Sequence, residues 1–142
     1  MAGYSSTPLS KKLGLKEGHT LLLLGAPKGF EKVLDPPEEV DVHERVDDGP
    51  FDVIVWFVGK RNELESKLES VADGLDADGG LWVAWPKKAS GVKTDMTEDV
   101  IRKRALSLGL VDNKVCAVDD TWSGLRLVVR VAERDAWRAQ RS

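Results

Sequence analysis

The chain has 142 residues, of which 42% are hydrophobic and 32% charged, and its net charge is −3 at pH 7. That length supports one real core, and the acidic balance argues against nonspecific nucleic-acid binding, which needs a strongly basic surface. The longest apolar runs, Leu21–Leu24 and Val53–Val58, are too short to cross a bilayer. The opening MAGYSSTPLSKKLG has no apolar signal core, and Cys116 stands alone. No internal disulfide forms from one thiol, so a reducing cytoplasm is the expected compartment. The expected organisation is one domain over 1–142, with a helical lead-in at 1–18 and a tail at 133–142 that forms a last helical turn or frays.

Thr7-Pro8 reads as a helix start, with Thr7 as cap, Pro8 at the first helical position and Gly14 as the stop. Thr20–Leu24 is the first strand, followed by Gly25-Ala26-Pro27-Lys28-Gly29 and a short helix that Pro36-Pro37 ends. Val40–His43 alternates and reads as a second, edge strand. Asp47-Asp48-Gly49-Pro50 is a turn, and the continuously apolar Val53–Val58 is a strand covered on both faces. Asn62 and Glu65 have capping-box spacing at the head of a helix whose stripe is Leu64, Leu68, Val71, Ala72 and Leu75. Gly79-Gly80 then breaks to a fourth strand, Leu81–Trp85. A polar loop from Pro86 to Thr94 leads to a helix that starts at Asp95 or Thr97 and stops at Gly109. Val115–Val118 and Leu125–Val131 close the chain as a hairpin, which makes the sixth strand antiparallel.

These elements specify an α/β fold of three layers, Rossmann-like, with a mostly parallel six-stranded sheet, a C-terminal antiparallel hairpin and strand order 2-1-3-4-6-5. The join from Glu44 to Pro50 is short for a parallel crossover, which normally takes about a dozen residues.

The order of elements after residue 51 resembles the second half of a class I methyltransferase. Phe51-Asp52-Val53-Ile54 is similar to the start of that fold's central strand, and Leu75–Val83 is similar to its L-x-x-G-G-x-L segment. The resemblance implies S-adenosylmethionine near the first strand, with Glu44 on a ribose hydroxyl. The first turn departs from the G-x-G-x-G pattern, because two glycines remain, Pro27 has no N–H, and the first strand carries no acid. A fuller resemblance covers Thr7–Gly14 (TPLSKKLG), Leu24–Phe30 (LGAPKGF), Trp85–Arg102 (WPKKASGV with TDMTEDVIR) and Asp112–Arg126 (DNKVCAVDDTWSGLR). These motifs resemble a bacterial family carried as a domain of unknown function, which implies no chemistry, no catalytic residue and no particular cofactor.

A parallel sheet places the loops after its strands on one edge. That edge collects Lys28, Glu44, Arg61, Trp85, Lys87, Lys88, Ser90, Asp119 and Trp122 as candidate ligand-binding residues, with Lys60 and Lys93 beside them. Several cations near a helix start suit a phosphate or carboxylate, and Trp85 or Trp122 suits a planar ligand. No catalytic or metal-binding set emerges. Adjacent Asp119 and Asp120 point apart in extended chain, and no Cys/His spacing supplies metal ligands. Cys116 reads as a buried small hydrophobe, and neither Ser90 nor Ser123 sits in a nucleophile elbow. Arg126 and Arg130 either guard a sheet edge or pack against a second subunit, so a homo-oligomer is one expected partnership. The first expectation for function is a non-catalytic protein that binds a small anionic ligand or a protein partner at this edge. A divergent S-adenosylmethionine-dependent methyltransferase is the alternative, and a scaffold without a pocket is the third.

Overall fold

The computed structural model describes residues 7–141. The first six residues of the lead-in and the last residue of the tail lie outside them.

Six strands form one sheet in the order β2-β1-β3-β4-β6-β5. They are β1 (Thr20–Leu24), β2 (Asp41–His43), β3 (Phe51–Phe57), β4 (Leu75–Pro86), β5 (Leu110–Ala117) and β6 (Trp122–Val129). The pairs β1–β2, β1–β3 and β3–β4 are parallel, and β6 is antiparallel to both β4 and β5. The Rossmann-like expectation therefore holds in both order and direction.

Among the described residues, five helices flank the sheet. They are α1 (Leu9–Lys12), α2 (Phe30–Leu34), α3 (Arg61–Ala72), α4 (Glu98–Ser107) and α5 (Arg134–Gln140). Alternation along the strands divides the apolar side chains between two cores. Leu22, Ile54, Trp56, Leu81, Val83, Leu125 and Leu127 face α3, α4 and α5, whose Leu64, Leu68, Ile101, Ala105 and Trp137 complete that core. Leu21, Leu23, Val53, Val55, Phe57, Trp82 and Ala84 face Leu13, Leu15, Phe30 and Leu34 around α1 and α2. The second core has little helix over it, so Trp82 fills much of its volume. The buried Trp82 indole N–H donates to the Leu13 carbonyl at 2.9 Å, which satisfies the one polar atom such a ring buries.

Several boundaries differ from expectation. β4 starts at Leu75, so Leu75 is a strand residue rather than the end of the α3 stripe, and Gly79-Gly80 lies inside the strand. Between Phe51↔Leu75 and Val53↔Gly80 the register slips, and β4 bulges. Glycine is needed there by contact, because a Cβ on Gly79 would stand 2.6 Å from the Asp52 carbonyl oxygen. β5 begins at Leu110 rather than Val115, and β6 spans Trp122–Val129 rather than Leu125–Val131. β3 begins at Phe51, and α1 begins at Leu9 with Pro8 in the capping position. The tail forms α5, because Trp137 is buried and its indole N–H donates to the Leu75 carbonyl at 2.9 Å.

β2 is a true member of the sheet, starting one residue later than expected, and its shortness explains the short join. His43 pairs with Leu22, and Leu22 pairs with Ile54, so β2 stops level with the middle of β3. The return to Phe51 covers only about three residues of strand, roughly 10 Å. A single 3-10 turn at Val46–Asp48 makes it, where a full crossover needs a helix.

Gly25 takes φ +66 where the chain leaves β1, and a Cβ there would stand 2.8 Å from the Phe57 carbonyl oxygen. Gly25→Ala adds a left-handed backbone strain to that clash. We expect a loss of about 2 kcal/mol in denaturant unfolding, and an unchanged midpoint would refute the close approach. Trp137→Ala is expected to cost about 3 kcal/mol and Trp137→Phe about 1 kcal/mol. Wild-type stability in Trp137→Ala would show that α5 does not belong to the core.

Candidate functional site

The C-terminal ends of β1, β3 and β4 and the start of β6 meet at one edge of the sheet, as expected from strand direction. The candidate residues at that edge do not form one pocket. They are distributed over separate clefts and structural turns.

The turn after β1 forms the first cleft, about 450 Å³, lined by Leu23 through Glu31 and by Glu44. It brings Lys28 and Glu44 together, with Glu31 nearby. Because β2 is short, Glu44 stands beside the last residues of β1 rather than beyond the sheet. The crevice between the ends of β1 and β3 is filled. Phe30 meets Phe57 edge-on at 4.8 Å between centroids, and Phe57 meets Trp122 edge-on at 5.1 Å. Trp122 thus belongs to this aromatic column and does not wall an open site. Gly25 presses on the Phe57 carbonyl at the same place.

Asp119 and Ser90 serve the backbone. The Asp119 carboxylate accepts from the N–H groups of Thr121 and Trp122 at 2.8 and 2.7 Å, an Asx turn that shapes the β5–β6 loop. Ser90 Oγ donates to the Lys87 carbonyl at 2.6 Å and accepts from the Val92 N–H at 3.2 Å. The Lys87 N–H donates to the Thr121 carbonyl at 2.7 Å, so its backbone joins β4's exit to the hairpin loop. Arg61 lies at the head of α3, ion-paired to Glu65 at 3.2 Å, and lines a third cleft with Lys103 and Arg104.

Trp85 and Lys88 share the cleft between the end of β4 and the start of α4. It measures about 550 Å³ and is lined by Trp85, Pro86, Lys88, Val92, Lys93, Met96 and neighbouring residues. Trp85 is half-buried, with its inner side against the main core. Thr97, one of the two expected helix starts, caps α4 by accepting from the Val100 N–H at 3.1 Å.

Asp95, the other expected start, caps a different helix. Its carboxylate accepts from the Arg61 N–H at 2.8 Å, so α3 is capped from 34 residues away, with Lys60 rather than Asn62 in the capping position. Thr94 Oγ1 donates to the Gly59 carbonyl at 2.6 Å and accepts from the Met96 N–H at 3.0 Å. Residues 94–96 are therefore bolted to the β3–α3 turn. Sequence reasoning missed Thr94 and Met96 as site-builders. The one signal was a Thr-x-x-Thr run before a helix, which gives no hint of a long-range partner.

Electrostatics separates the charges at this edge. Arg102 binds Glu98 at 2.7 Å, Asp99 at 2.8 Å and Asp112 at 3.2 Å, and its hydrogen bonds to Glu98 and Asp112 raise its pKa further above the usual arginine range. Glu98, which also lines Trp85's cleft, is thus ion-paired, and the one guanidinium offsets one of the three carboxylate charges it touches. Among the described residues the ion pairs engage arginines and one histidine, and no lysine. Lys60, Lys88 and Lys93 keep uncompensated charge. The groups whose protonation the fold disturbs lie elsewhere or are already paired. Burial pushes the Cys116 thiol up, and burial, then the nearby Arg134, pulls Arg126 down. No helix among the described residues is long and apolar enough to cross a membrane.

Solved structures with the same architecture are numerous. Magnesium protoporphyrin IX methyltransferase from Synechocystis, determined with bound SAH, matches with TM-score 0.58 and 12% identity over 84% of this chain and 78% of that one. The ribosomal protein L11 methylase from Lactobacillus delbrueckii gives 0.56 and 13%, over 85% and 74%. A SAM-dependent methyltransferase from Aquifex aeolicus gives 0.55 and 16%, over 85% and 88%. At such identities the likeness shows the fold. No curated protein matches in sequence. One family model matches residues 31–131, a span that holds the Trp85–Arg102 and Asp112–Arg126 motifs, and the chain therefore belongs to DUF3052, a family of proteins of unknown function.

Proposed function

We propose that this protein binds a small anionic molecule with a flat apolar part, without transforming it, in the cleft between β4 and α4. The carrying observation is that Trp85, Val92 and Met96 line the same 550 Å³ space as Lys88 and Lys93. An indole face offers stacking area, and two ammonium groups without carboxylate partners offer charge. Glu98 also lines the space, and its ion pair is with Arg102 rather than with either lysine. The side chains nearby that are capable of acid–base work are already used. Ser90 closes a turn, Asp95 caps α3 and Asp119 shapes the hairpin. A single thiol supports a reducing cytoplasm as the site of action.

The fold's relatives raise S-adenosylmethionine, whose place would be the turn after β1. The residues there do not fit it. Phe30, Phe57 and Trp122 fill the crevice at the end of β3, and the turn rests on the Phe57 carbonyl. β1 ends in leucines, so the strand itself offers no carboxylate to the ligand's ammonium, and Lys28 brings a cation toward a sulfonium. Glu44 alone suits a ribose hydroxyl.

Calorimetric titration with nucleoside monophosphates and aromatic carboxylates tests the reading. Binding is expected, weakened at least about tenfold by Trp85→Ala and by the double change Lys88→Ala with Lys93→Ala. Millimolar S-adenosylmethionine is expected to give no heat. Flat traces across the panel, or binding that ignores both variants, would overturn it.

A further inference from the structure

We infer that the ligand carries two anionic groups in line, as a nucleoside diphosphate does, and reaches from Trp85 across Lys93 to Lys60. This inference rests on the ligand-binding reading of the β4–α4 cleft and names its substrate class. Next to it lies a shallow, open hollow lined by Gly59, Lys60, Asn62, Lys93, Thr94 and Asp95. Lys93 and Thr94 line both spaces, so the two adjoin along the sheet edge as one trough with a shared wall.

The shared wall is built rather than draped. Thr94 is tied to Gly59, and Asp95 to Arg61, by hydrogen bonds of 2.6 and 2.8 Å. These bonds fix the segment that carries Lys93 against the turn that carries Lys60. The second bond also engages the Asp95 carboxylate, as Arg102 engages Glu98 in the β4–α4 cleft. Along the trough three ammonium groups, those of Lys88, Lys93 and Lys60, have no ion pair among the described residues, and the one aromatic wall is at the Trp85 end.

A singly charged ligand in the β4–α4 cleft leaves Lys60 unmatched. A planar base on Trp85 with a diphosphate running past Lys93 uses every element of the trough. An indole stacks on any base, because each base presents a π face. The trough therefore selects for charge count and length more than for base identity.

The test is titration of the full chain with AMP, ADP, CDP and inorganic pyrophosphate, followed by calorimetry and tryptophan fluorescence. ADP is expected to bind about tenfold more tightly than AMP, CDP within about threefold of ADP, and pyrophosphate more weakly than either diphosphate. Lys60→Ala, at an exposed position, should bring ADP to the AMP affinity, and Trp85→Phe should remove most of the fluorescence change. Equal affinity for AMP and ADP, a preference that survives Lys60→Ala, or pyrophosphate binding as tightly as ADP overturns the diphosphate assignment. Binding of aromatic carboxylates with no nucleotide binding also overturns it, while the β4–α4 site stands. Absence of binding by nucleotides and aromatic carboxylates alike removes both.

Discussion

The structure depends on β3 being buried on both faces. A strand in that position must be apolar at every step, and Val53–Phe57 is, with Ile54 and Trp56 in one core and Val53, Val55 and Phe57 in the other. Parallel pairing to β1 and β4 then fixes where their ends fall. The last carbonyl of β3 locates Gly25, its last ring locates Phe30 and Trp122, and the turn beyond it receives Thr94. Each cleft at this edge takes its boundary from something β3 positions.

This dependence explains why aromatic rings occupy the space at the end of β3. Phe57 there draws an aromatic ring from each side, Phe30 and the partly buried Trp122. Further along, β4 runs on to Pro86 and α4 begins only at Glu98, and the eleven-residue gap is folded into a rim rather than a plug. Polar side chains of that rim turn inward to backbone groups, and its lysines remain outside.

Strand order, direction and the edge where the strand ends gather were legible in the sequence, because continuous apolar runs and a short hairpin loop allow few arrangements. The division of the edge into clefts was not. Ser90, Asp119 and Trp122 have the residue types of a site, but their partners are backbone groups or rings brought close by folding. Gly79-Gly80 reads locally as a break, yet here it answers the approach of Asp52 from another strand. Likewise Asn62 and Glu65 have the spacing of a capping box, and Asp95 won the position from 34 residues away. For the glycine pair and for Asp95, a contact distant in sequence outcompeted a local signal.

Arg102 has a role beyond its own helix. One guanidinium gathers three acids, two from the head of α4 and one from β5. At the head of a helix, acidic side chains ordinarily repel an approaching anion while they satisfy the helix dipole. With both drawn toward Arg102, the dipole stays balanced and part of their charge is offset. In a protein of net negative charge, where the acids are tethered decides which lysines are left without an ion pair.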